Sequence, residues 1–96
     1  MSKPQTLLQL SGRSYAPATL ANATLLVIDV QVEYRSGAMA LPNLAPALEE
    51  ITRLLALARA AGSPIVHVHH LGIMGGLFDP QGLRGQIMPE ATPLPG

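Results

Sequence analysis

Apolar positions keep two different rhythms along this chain. Through residues 25–30 (LLVIDV) they run on continuously except for one aspartate, as in a parallel strand covered on both faces, so a strand is expected over about 24–30. Further on they recur three and four apart. Leu44, Leu48, Ile51, Leu55 and Ala58 make one stripe, which Ala47 and Leu54 widen, and such a stripe predicts an amphipathic helix. Asn43 stands at its N-cap, and Pro46 falls in the first turn, where a missing N–H does no harm. Gly62 supplies the stop and Pro64 prevents continuation. Glu49 and Arg53, four apart in the favourable order, are expected to pair on the outer side. The strand pattern returns at 65–70 (IVHVHH), and strand–helix–strand at this spacing predicts a right-handed βαβ unit.

Elsewhere the rhythm is lost. Residues 1–22, interrupted by Pro4, Gly12 and Pro17, read as an N-terminal arm without regular elements. Residues 35–43 (RSGAMALPN) read as a loop. Residues 72–96 hold six glycines and four prolines in 25 positions, and a stretch so long and irregular is usually an active-site loop or a linker. Residues 23–96 are therefore expected to form part of an α/β domain. Two strands leave both sheet edges unpaired, and one helix covers only one face. Further strands are expected, from a partner chain or from a longer protein of which this is the front part. The last residues, LPG, read as a stop in mid-loop.

Composition narrows the classes. At 48% apolar and 12% charged residues the chain is core-forming rather than disordered. Six basic residues balance six acidic ones, which leaves no electrostatic footprint for nucleic acid or an anionic membrane. The aromatics are Tyr15, Tyr34 and Phe78, too few for a base-stacking platform. Leu25–Ile28, the longest apolar run, is far too short to span a bilayer, and the first residues lack the apolar core of a signal peptide. A cytoplasmic protein is expected. Zero cysteines exclude disulfides, thiolate metal sites and a cysteine nucleophile on these residues.

The chemistry centres on Asp29. Ligands of parallel α/β folds bind beyond the C-terminal ends of the strands, and Asp29 stands at such an end, with Gln31 opening the loop that leaves it. Two readings are open. Asp29 is a turn residue accepting backbone N–H bonds, with Gln31 merely solvated, or it is a general base or orienter at the mouth of a cleft. His67 and His69 share one strand face while His70 points to the other, so no metal site is expected and the three read mainly as packed or hydrogen-bonded side chains. His70, nearest the strand end, is the one placed to contact substrate. Gly72, Gly75 and Gly76 could form an anion-binding nest, but no Lys–Ser/Thr follows, and a pocket rim is the better reading. Met39, Met74 and Met88 read as gap-fillers or pocket wall. Glu33 reads as a solvent-facing turn residue, and no cofactor is expected.

The stretch LLVIDVQVEY (25–34), the Pro–Asn helix start at 42–43, the Ala/Leu helix running into AAGSPIVHVHH (60–70) and GGLFDP (75–80) occur in a distinctive order. Together they resemble the N-terminal part of the isochorismatase-like cysteine hydrolases, the family that includes nicotinamidases, over roughly residues 22–96. The resemblance implies a three-layer αβα fold with a parallel, Rossmann-like sheet, present here as its first βαβ portion. It also implies hydrolysis of small amides or related C–N or ether substrates. The family pattern at the first strand is an Asp, a residue, a Gln, often Asn–Asp, then an aromatic. Asp29 and Gln31 match it, Glu33 stands in for the acid, Tyr34 stands in for the usual Phe, and Val32 departs from the Asn. By resemblance Asp29 is the triad acid serving a cysteine thiol, and Gln31, Tyr34 and His70 are the expected substrate-binding residues, with Tyr34 lining the pocket. The stretch HHLGIMGG lacks the Asp–Trp–His pattern by which some nicotinamidases hold a metal.

The other two triad members in such enzymes are a lysine and a cysteine. Lys3, in the arm, is the sole lysine and no cysteine is present, so these residues alone are expected to be inactive. The alternative is a non-catalytic remnant or interaction module that completes its sheet with another chain. A flavodoxin-like receiver or nucleotide-binding unit is disfavoured by the lack of a paired acidic cluster and of a GxGxxG loop. The expected partners are a small-molecule substrate and either a second copy or a complementing chain, with neither nucleic acid nor membrane.

Overall fold

The computed structural model of the chain describes residues 3–13 and 16–95; residues 1, 2, 14 and 15 of the expected arm, and Gly96, lie outside them. Its elements in chain order are α1 (Leu7–Leu10), β1 (Leu25–Ile28), α2 (Glu33–Ser36), α3 (Leu44–Ala60) and β2 (Ile65–Val68). Single 3₁₀ turns follow at Leu83–Gly85 and Pro89–Ala91. The strands pair in parallel, Leu25 opposite Ile65 and Ile28 opposite Val68, with α3 connecting them. This is the βαβ unit that the apolar rhythm predicts.

Helix α3 ends as its sequence dictates. Gly62 takes φ 73°, its N–H donates to the Arg59 carbonyl at 3.1 Å, and Ser63 N–H reaches back to Ala58 at 2.9 Å. This doubly bonded glycine stop satisfies the last carbonyls. The start differs from expectation. Asn43 occupies the cap position but adopts a left-handed φ of 56° and makes no side-chain cap bond. Asparagine tolerates that conformation better than most residues, so here it turns the chain rather than capping the helix.

One helix face is buried and the rest is bare. Leu48, Leu55 and Ala58 are buried, Leu44 and Ile51 half-buried, but Ala47 and Leu54 are exposed. A sheet two strands wide is too narrow to cover a broader stripe. Arg53 pairs with Glu50 rather than with Glu49; the pair is exposed and contributes little. The strands show the same one-sidedness. Val27 is buried against the helix, while Leu26, Ile28, Val66 and Val68 form an opposite apolar face that is 44% to 57% exposed.

Two irregular stretches hold more order than their composition suggests. The arm contains the single turn α1, closed by a reciprocal Thr6–Gln9 capping box. More consequentially, residues 86–91 return to the core. Val32 N–H donates to the Gln86 carbonyl at 2.9 Å and Met88 N–H to Val30 at 2.8 Å, hooking this segment antiparallel to the exit of β1. Ala91 then packs with Val27 and Leu55, and Met88 fills the space between Val32 and Leu48. Gly85 permits the approach: a Cβ there would lie 2.1 Å from the Asp79 carbonyl oxygen.

Candidate active site

Both strands end on the same side of the molecule, and the side chains singled out by sequence gather at those ends. β1 is shorter than its apolar run because Asp29 leaves it. Its N–H still donates to the Val68 carbonyl at 2.8 Å, and its own carbonyl accepts from Gln31 N–H at 2.9 Å. Between these bonds the backbone turns left-handed, with φ 58°. That conformation is uncommon outside glycine, and such residues concentrate at functional sites. The Asp29 side chain is half-buried, and among the described residues its carboxyl group has no hydrogen-bond or ionic partner. The Asp29 carboxylate therefore does not tie down its own turn.

Gln31 is placed differently from the expectation that it contacts substrate. Its side chain is fully buried. Its amide nitrogen donates to the carbonyls of His70 and Gly85, both at 2.9 Å, and its amide oxygen accepts the His70 N–H at 2.9 Å. The group is committed to backbone on three sides and stitches the exit of β1 to the exit of β2 and to the Leu83–Gly85 turn. This also ends β2 early, since the His70 N–H is taken by a side chain and not by a strand.

Glu33 corrects the expectation of a solvent-facing turn residue. It is 0% exposed, and its oxygens accept backbone N–H bonds from Phe78 at 2.9 Å and from Ala38 at 3.1 Å. Its neighbour Tyr34 is half-buried and meets the Phe78 ring edge-on, with centroids 5.3 Å apart. His70 meets the same ring edge-on from another side, at 5.2 Å. Phe78, not among the residues expected to bind substrate, is the centre of this wall.

Beside the wall lies an open hollow of about 560 Å³, lined by His70, Gly72, Ile73, Met74, Leu77 and Phe78. Gly75 and Gly76 also line it, which agrees with a pocket rim. Asp29, just after β1, and Tyr34, in α2, are not part of its lining, so the expectation that Tyr34 lines the pocket does not hold for this hollow. The rim is clasped by Asp79, whose carboxyl accepts N–H bonds from Gly75 and Gln81, both at 2.9 Å. The Gly75 bond, then the Gln81 bond, hold its pKa below the ordinary aspartate value of 3.8. A carboxylate so depressed stabilises the folded loop fully above its unfolded value and stops doing so as pH falls through the lower, folded one. An NMR titration is therefore expected to show the Gly75 and Gln81 amides shifting together with a midpoint below 3.8; a midpoint at or above that value would contradict the clasp.

His67 departs from the other histidines. It is half-buried, and its Nδ1 is buried without a partner among the described residues, whereas His69 and His70 are exposed. Among the described residues no three His, Asp or Glu side chains converge as metal ligands would. None of the described helices is long and apolar enough to cross a membrane.

The family profile described as "Isochorismatase domain" matches residues 23–96. The chain is 36% identical over 80 residues to the secreted isochorismatase effector Isc1 of Verticillium dahliae, covering 82% of this chain and 42% of that protein. It is 45% identical over 56 residues to streptothricin hydrolase of Streptomyces noursei, covering 58% of this chain and 20% of that one. The crystal structure of an isochorismatase from Pseudomonas putida KT2440 superposes with a TM-score of 0.84 at 50% identity, over 98% of this chain and 48% of that chain. The chain thus spans less than half the length of each of these relatives.

Proposed function

The chain belongs to the isochorismatase family and has its α/β fold, and from that premise we propose that it supplies the acid side of a cysteine-dependent hydrolase site for small amides or related C–N or ether substrates. Asp29 is the acid. The observation that carries this reading is its carboxyl group, held at the end of β1 by a left-handed backbone and bonded to nothing among the described residues. A group so placed is free to take or orient the proton of a thiol, and the thiolate left behind is the form that attacks an acyl or imidate-type carbon. The leaving group then needs that proton back, and water must release the thioester-like intermediate. One carboxyl can serve in both directions.

Tyr34, Phe78 and His70 supply an aromatic wall beside the hollow, and Gln31 holds the two strand ends in register. The thiol and the triad lysine have no counterpart on these residues, since cysteine is absent and Lys3 lies in the arm. They come, in this reading, from the second half of the family domain, with these residues as its first half.

A second reading draws on the bare sheet face. Leu26, Ile28, Val66 and Val68 are exposed together, and an isolated two-stranded sheet is marginal in water, which favours a complementing chain or a second copy as cover. One sample tests both readings. The purified 96-residue chain is expected to hydrolyse no small amide above the uncatalysed rate, because one base without its nucleophile leaves almost no such catalysis. Turnover that survives thiol reagents would overturn the proposed division of the site. Sedimentation of the same sample as a folded monomer would remove the second reading.

A further inference from the structure

We propose that Glu33 is a positioning residue, a buried pin that fixes Phe78 and thereby the aromatic wall shared by Tyr34 and His70. The proposal rests on reading this region as a substrate site. A carboxyl group is costly to bury unless its oxygens accept hydrogen bonds. Both donors to Glu33 are backbone N–H groups of loops: Ala38 just after α2, and Phe78 forty-five positions away.

Phe78 needs such a pin. Its φ is 52°, a left-handed conformation that is an outlier for a bulky side chain. Strain of this kind persists only where the surroundings over-determine it. Here the N–H is held by Glu33 at 2.9 Å and the carbonyl by the Gly72 N–H at 2.9 Å. The ring that results is buried and touches both Tyr34 and His70 edge-on, so its position sets theirs.

The chain is also shaped around the carboxyl group. A Cβ at position 37 would lie 1.5 Å from Glu33 Oε2, so Gly37 leaves the space that the pin fills. The rest of the loop has other fastenings, Asp79 on Gly75 and Gln31 on Gly85. Glu33 alone among these side chains bonds the ring-bearing residue.

The test is an NMR comparison of the full 96-residue chain with Glu33→Ala and Glu33→Gln, and it involves no substrate or turnover, so its outcome is independent of the catalytic reading. In Glu33→Ala the Phe78 amide proton is expected to move upfield and the ring-to-ring Overhauser contacts from Phe78 to Tyr34 and His70 to disappear. The amides of Leu25 and Asp29, in the ladder between the strands, keep their shifts. Glu33→Gln keeps one acceptor and turns an NH2 toward the other amide, so one of the Phe78 and Ala38 amides is released, and the ring contacts are expected to persist only when the Phe78 amide is the one that stays bonded. Ring contacts that survive in Glu33→Ala would overturn the proposal, as would ladder amides shifting as far as Phe78. If Glu33→Ala does not fold, Glu33→Gln decides: ring contacts that survive a released Phe78 amide, or that vanish while this amide stays bonded, refute the pin.

Discussion

Gln31→Ala is expected to destabilise the fold by about 3–5 kcal/mol, through three abandoned backbone groups and the cavity left by the side chain. The amide is fully buried and satisfies the His70 N–H, the His70 carbonyl and the Gly85 carbonyl at once. The His70 bonds are partly open to water and the Gly85 bond is buried, so the Gly85 carbonyl contributes the larger share of the loss. Against the 5–15 kcal/mol typical of whole domains, a change of this size removes about a fifth of the stability or more. Gln31→Glu separates bonding from packing. It keeps the volume but turns an oxygen toward two carbonyl oxygens, so it is expected to destabilise comparably. Urea unfolding midpoints measure both, and a loss below about 1 kcal/mol, ordinary for a surface substitution, would show that the three bonds are not holding the strand ends together.

The helix was readable because its information is local. A stripe at 44, 48, 51, 55 and 58 and a Gly–Ser–Pro stop need no distant partner, and α3 ends where that stop is written. The strands were overdrawn for an equally physical reason: hydropathy cannot register that Asp29 turns left-handed, or that the His70 N–H is claimed by Gln31. Nothing near Glu33 in sequence reveals a buried acceptor, so its burial is not legible there. One of its two donors lies forty-five positions downstream, in a glycine-rich loop without period. The available signal is its match to the acid of the family pattern. Phe78 was missed on the same account, since a single aromatic among glycines looks like a loop residue until the loop folds back. The return of residues 86–91 to the core had no sequence signature beyond Ile87, Met88 and Ala91, too few to show a period.

Asp29 stands at the end of β1, where its place in the sequence puts it. A carboxyl that ties its own turn would be bonded; this one has no partner among the described residues, although the backbone around it is held on both sides. A side chain kept half-buried and unspent at a strand end, in a family of hydrolases, is expected to act on something that approaches from outside these residues. Its removal should therefore cost turnover and not stability. Asn at position 29 retains size and tolerates left-handed backbone as well as Asp does, so Asp29→Asn is expected to leave the unfolding midpoint nearly unchanged.

The most direct measurement joins residues 1–96 to the part of the Pseudomonas putida isochorismatase that this chain does not match, the matched 48% of it superposing on this chain at 50% identity. The chimaera is assayed on whatever substrate the parent enzyme turns over, with and without Asp29→Asn. The expected result is thiol-reagent-sensitive hydrolysis that falls by about 10²–10⁴-fold in the Asn variant, the usual range for losing a proton-transfer group. An active chimaera whose Asn variant turns over within a factor of two or so of its parent would contradict the assignment of Asp29 as the acid of this site.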